Sequence, residues 1–183
     1  ELPLLQTTTA HEYYHSIQFG YDGWESSWIK EATSAWCEDE VYDAANINLR
    51  FLPSWFSAPW IPLDANSVEK NNHWYGSWIF FRYISEHVVG RNTVRRIWEK
   101  SFDHVDSSHT NKSFDAIRDA LTEQGRGFPE VFSQFTVANL YKTPSPYDYE
   151  EGDTYPNINI IGMLVGDQTI EDFLNRKAAD YYQ

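Results

Sequence analysis

Hydrophobic positions recur every three to four residues through the first three quarters of the chain, the spacing of helices that bury one face. The pattern predicts a first helix over about Thr8–Phe19, closed by a cap at Gly20, and a second over about Ser27–Ala44 after the turn GYDGWESS. Pro53, Pro59 and Pro62 interrupt residues 50–68, which also carry Phe51, Trp55, Phe56 and Trp60, so this stretch is expected to be an aromatic loop lying over the core. A third helix is expected from about Asn72 to Val89, ending at Gly90. A fourth starts near Asn92 with VRRIWEKSF, a fifth runs after Ser113 to Gly125, and a sixth has Pro129 in its first turn.

After Tyr141 the pattern changes. KTPSPYDYEEGDTYP is acidic and proline-rich, and NINIIGMLV has the β-branched content of a strand. The chain therefore divides into a helical unit over 1–143, a connector over 144–154 and the start of a β-rich unit over 155–183, whose strand would pair with sequence outside this chain. The acidic residues Asp148, Glu150, Glu151 and Asp153 lack the alternate spacing of a calcium-binding loop and are expected to be a solvated linker.

Composition narrows the function classes. With 183 residues and 42% hydrophobic content the chain can build a sizeable core. A net charge of -13, with only fourteen Lys and Arg, argues against nucleic acid. No apolar run is long enough to span a membrane. Cys37 is alone, so an internal disulfide is excluded and a small buried role is expected for it. The acidic, aromatic-rich composition fits a secreted, periplasmic or cell-surface protein. The first residue is Glu1 rather than Met, which fits a processed or partial chain. Asn111-Lys112-Ser113 matches a glycosylation acceptor, a triplet too common to weigh.

Candidate chemistry sits in TTTAHEYYHSIQFG. Residues four apart share a helix face, so His11 and His15 can turn two imidazole nitrogens to one metal ion while Glu12 handles a proton beside them. A structural role also fits, because Thr9 as N-cap with Glu12 three residues on makes a capping box. The second helix weighs on this choice: Trp28, Glu31, Ala35, Glu38 and Tyr42 fall on one stripe, placing the Glu31 carboxylate toward the interior. Lys30 points about 100° away around the axis. A buried carboxylate needs a compensating charge, and zinc held by His11 and His15 would supply it.

HEYYH followed by WIKEATSAWCE resembles the gluzincin metallopeptidases of the aminopeptidase N type, over residues 7 to about 43. The resemblance implies the helical catalytic half of a zincin-like α+β metallopeptidase, with its sheet upstream. It implies zinc ligands His11, His15 and Glu31, a general base Glu12, and a carboxylate Glu38 that orients a ligand. The gap from His15 to Glu31 is a few residues shorter than in those relatives. The metzincin pattern fits worse, since Gln18 and Tyr21 stand where Gly and His are required, and Ala35 stands where thermolysin relatives carry Asp. HWYGSWIFFRYISEHVVG resembles the helix whose tyrosine stabilises the oxyanion in aminopeptidase N-like enzymes, which makes Tyr75 the first choice for that role and His73 the second. Gly76 and Ser77 depart from the family's residues there. His87, His104 and His109 read as surface or locally bonded.

These residues imply a zinc metallopeptidase acting on a peptide or protein, with endo- or exopeptidase action and oligomeric state left open. Two competing functions are a non-catalytic carbohydrate- or protein-binding helical domain, and a zinc hydrolase of non-peptide amides or esters. The binding domain would leave the three ligands apart or close the site with a fourth.

Overall fold

A computed structural model describes residues 1–66, 72–88, 90–105, 112–143, 148–160, 179 and 181. Eight α-helices are described: α1 (Leu2–Asp22), α2 (Ser27–Tyr42), α3 (Leu52–Phe56), α4 (His73–Gly76), α5 (Trp78–His87), α6 (Asn92–Asp103), α7 (Ser113–Glu123) and α8 (Phe128–Tyr141). The protein is mainly α, and among the described residues there is no strand.

α1 and α2 form an antiparallel hairpin across the turn 23–26: Gln18 meets Lys30 and Thr33, and His11 reaches Glu38. α2 is the central helix. It packs on α1 and α5, and Trp28, Ile29, Ala32 and Ala35 are fully buried. Four tryptophans, Trp28, Trp55, Trp78 and Trp98, fill the core with Phe80, Phe81 and Phe135. Burial of such large apolar surfaces is the main favourable term holding these short helices together. The Glu25 carboxylate, in the turn after α1, accepts from Ser101 and Ser113 and so ties that turn to α6 and α7.

Several boundaries differ from the pattern. α1 starts six residues earlier than expected and passes through Gly20 to Asp22, because Pro3 at its first turn initiates it and Gly20 stays helical. Thr9 therefore lies mid-helix, where its hydroxyl donates to Leu5 O at 2.7 Å. The capping box with Glu12 does not form. α2 ends at Tyr42, two residues early. The expected third helix is broken at Ser77 into α4 and α5. The 50–68 segment is not all loop: Asn48–Phe51 makes a 3-10 turn, and α3 follows with Pro53 in its first turn, where proline is tolerated.

Asp148, Glu150 and Asp153 are exposed, as expected of a solvated stretch, but the segment around them packs on the core where it is described. Tyr149 and Tyr155 are buried in the core, and the Tyr149 hydroxyl donates to Asn139. Glu150 pairs with Arg82 at 2.9 Å. Residues 156–160 carry no regular secondary structure, and Asn159 N donates to Phe56 O. The remaining residues of the expected strand, 161–165, lie outside the described residues, as does His109. Cys37 is half-buried rather than buried, and burial pushes its thiol up to about 12.

Candidate metal centre

The hairpin brings His11, His15 and Glu31 together, with one ligand atom from each within 4.8 Å of the others. The helix repeat places both imidazoles on the face of α1 that meets α2. His11 Nε2 lies 3.2 Å and His15 Nε2 3.7 Å from the same oxygen, Glu31 Oε2. Lys30 does not compete for Glu31, because its ammonium donates to Gly23 O and sits over the Phe19 ring.

The other ring nitrogens are already committed. His11 Nδ1 is 2.7 Å from Glu38 Oε1. Glu38 is 3% exposed and is an acceptor in its ionised form, so Nδ1 carries the proton. His15 Nδ1 is 2.8 Å from Gln18 Oε1. The Gln18 amide is oriented by the Lys30 carbonyl, which only accepts and receives the Nε2–H bond at 2.9 Å. Gln18 Oε1 thus faces His15, and His15 Nδ1 must donate. Gln18, fully buried, also bonds Thr33 and Ser34.

With both Nδ1 protons spent, two Nε2 lone pairs converge on a carboxylate oxygen. Such a contact needs a cation between the atoms or an added proton on each ring. The electrostatics carry the same signature. Burial lowers the His11 pKa, but Glu31 and Glu38 outweigh it and raise it to about 9. Burial opposes ionisation of Glu31, yet the two histidines hold it down to about 2. The donor set of two imidazoles and one carboxylate, each imidazole backed by an acceptor, fits zinc. Among the described residues no fourth His, Cys, Asp or Glu joins the group.

A cleft of about 230 Å³ opens beside the group, lined by Thr8, His11, Glu12, Glu38, Arg50, Phe51 and Tyr75. Glu12 is exposed on α1. The Tyr75 ring lies 6.0 Å from the His11 ring, and its hydroxyl feels the Glu31 charge. Burial, then the Glu31 charge, push that hydroxyl up to about 12. His73 faces away: it is fully buried, stacked on Trp55, with Nδ1 donating to Ser54 O at 3.1 Å. Of the aromatic stretch, Trp55 and Phe56 are core, while Phe51 stacks on Tyr75 and lines the cleft. His104 pairs locally with Asp119, and His87 lies against Tyr83 and Glu86.

Gln18 is the site residue that sequence reasoning missed, while Phe51, expected to cover the core rather than to wall a specificity pocket, lines the cleft. Gln18 carries a faint signal, since position i+3 from a metal-binding histidine is one helical turn away and can reach its ring. No protein-family model, curated protein or solved structure matches the chain.

Proposed function

We propose that the protein is a zinc-dependent hydrolase of peptide bonds, the helical half of a zincin-like α+β metallopeptidase of gluzincin type, acting outside the cytoplasm. One observation carries this reading: two Nε2 lone pairs meet at a single Glu31 oxygen while both Nδ1 protons are spent on Glu38 and Gln18. His11, His15 and Glu31 would hold the ion and leave its remaining position to solvent, as catalytic zinc sites do. When bound, zinc supplies a Lewis acid and lowers the pKa of water toward about 7.

The chain's own residues supply the rest. Glu12, exposed between the two histidines and lining the cleft, takes a proton from the attacking water and returns it to the leaving amine. The Tyr75 hydroxyl, kept protonated by burial and by Glu31, donates to the oxyanion that forms at the scissile carbonyl. Glu38 and Gln18 hold the imidazoles in the tautomer that leaves Nε2 free.

Elemental analysis of protein purified without chelator should give about one zinc per chain. Glu12→Gln should keep the zinc and lose hydrolysis of a peptide library by about a hundredfold or more, whereas Glu31→Gln should lose the zinc. A zinc-free wild type that takes up none at micromolar concentration would refute the proposal. The competing binding-domain role is disfavoured by the convergence of three ligands with no fourth among the described residues.

A further inference from the structure

The cleft carries one charge that hydrolysis itself does not use. Arg82, Arg91, Arg95, Arg96, Arg118 and Arg126 each pair with a carboxylate. Arg50 makes no ion pair among the described residues, although the chain holds 27 acidic against 14 basic side chains. It is exposed at the cleft and is the one Lys or Arg among the described residues that lines it.

Its position is fixed. The guanidinium lies 4.6 Å from the centroid of the Phe51 ring, and Phe51 stacks on Tyr75 at 4.7 Å. The ring holds the cation without using its N–H groups, which make no hydrogen bond or ion pair among the described residues. The turn Asn48–Phe51 that carries Arg50 is pinned at both ends. Buried Asn48 donates to Asp39 at 3.0 Å, and Gly76 of α4 approaches so closely that a Cβ there would stand 2.9 Å from Phe51 O. The stack Arg50–Phe51–Tyr75 thus runs from the cleft mouth to the ring beside His11.

Glu12 and Glu38 line the cleft beside Arg50, and Arg50 is left with its charge uncommitted to either of them. We propose that Arg50 anchors a substrate carboxylate, and that the peptides bound here carry either a C-terminal carboxylate or an Asp or Glu side chain close to the scissile bond. Arginine recognises such a group by two parallel N–H bonds, which lysine cannot reproduce. The inference rests on the hydrolytic reading of the site, and its test separates the two.

Zinc-loaded Glu12→Gln protein is titrated with fluorescent peptides of one sequence in two pairs. In the first pair the C-terminus is free or amidated; in the second, with amidated ends, an internal residue is Asp or Asn. Binding is read by anisotropy. The carboxylate member of at least one pair should bind about tenfold tighter or more. Arg50→Ala should bring that ratio near one, and Arg50→Lys should leave it in between. A ratio confined to the first pair identifies the C-terminal carboxylate, and one confined to the second identifies the acidic side chain. Equal binding within both pairs, no binding at all, or a ratio that survives Arg50→Ala overturns the proposal. Discrimination in binding without hydrolysis by the wild type would sink the hydrolase and keep the anchor; hydrolysis without discrimination would do the reverse.

Discussion

Gln18 and Glu38 do the same job on two histidines, one as a buried amide and one as a buried carboxylate. Each accepts the Nδ1 proton and so presents the Nε2 lone pair. Truncating either frees the ring to rotate or to adopt the other tautomer. Gln18→Ala is expected to weaken zinc affinity about ten- to a hundredfold, measured by competition with a chromophoric chelator, with the helical circular-dichroism signal retained. His11 and His15 are legible in the sequence because their spacing puts them on one face of a helix, and Glu31 because it falls on the interior stripe of the next. Gln18 and Phe51 are not, since their roles come from partners supplied by other parts of the fold: the Lys30 carbonyl in one case, the Tyr75 ring in the other. His73 and Tyr75 show the same limit. Two residues apart on one short helix, they point to the core and to the cleft, and only packing tells them apart.

Helix identity is more legible than helix ends, and glycine is the reason. Gly20 was expected to stop α1, but nothing approaches within 4 Å of where its Cβ would stand and the helix runs on through it. Gly20→Ala should therefore stabilise the protein by about 0.5–1 kcal/mol, seen as a higher unfolding midpoint. Gly76 looks equally innocent in sequence and behaves oppositely. A Cβ there would meet Ser54 Oγ and the backbone of Phe51 and Trp55, so Gly76→Ala must push α4 from the 3-10 turn and α3. It should cost about 1–3 kcal/mol by denaturant titration. Gly90 and Gly125, expected as helix stops, do sit at positive φ just past α5 and α7.

Across the whole molecule, charge is more concentrated in the fold than along the chain. Arg82, 5% exposed, gathers Asp39, Glu40, Glu86 and Glu150 from three separate stretches. Periodicity places Arg82 on an apolar helix face but cannot name its partners, because they lie up to 68 residues away. Arg82→Met would leave Asp39 and Glu86 buried without a cation, which should cost about 3–5 kcal/mol at neutral pH and less below pH 5. Burial raises Glu86 to about 7 and Asp39 to about 6 despite Arg82. A carboxyl with a raised pKa contributes stability below its unfolded pKa and loses it as pH rises through the folded one. His11, raised to about 9 in the metal-free protein, loses its share later, as pH climbs through that value. Glu31, lowered to about 2, loses its share only on acidification toward 2. Metal-free protein should therefore unfold at a lower temperature at pH 8 than at pH 5. A scanning calorimetry series checks this, and a flat or rising profile would contradict the assigned shifts.

The hairpin of α1 and α2 also bears on the order in which the molecule is built. His11 is only 20 residues from Glu31 and 27 from Glu38, and the turn between the helices is short, so closing that loop costs little chain entropy. Tyr75 and Phe51 join from later stretches of the chain. Contacts so local form early in folding, so that, if His11, His15 and Glu31 hold zinc as proposed, the nascent chain would capture it before the cleft exists.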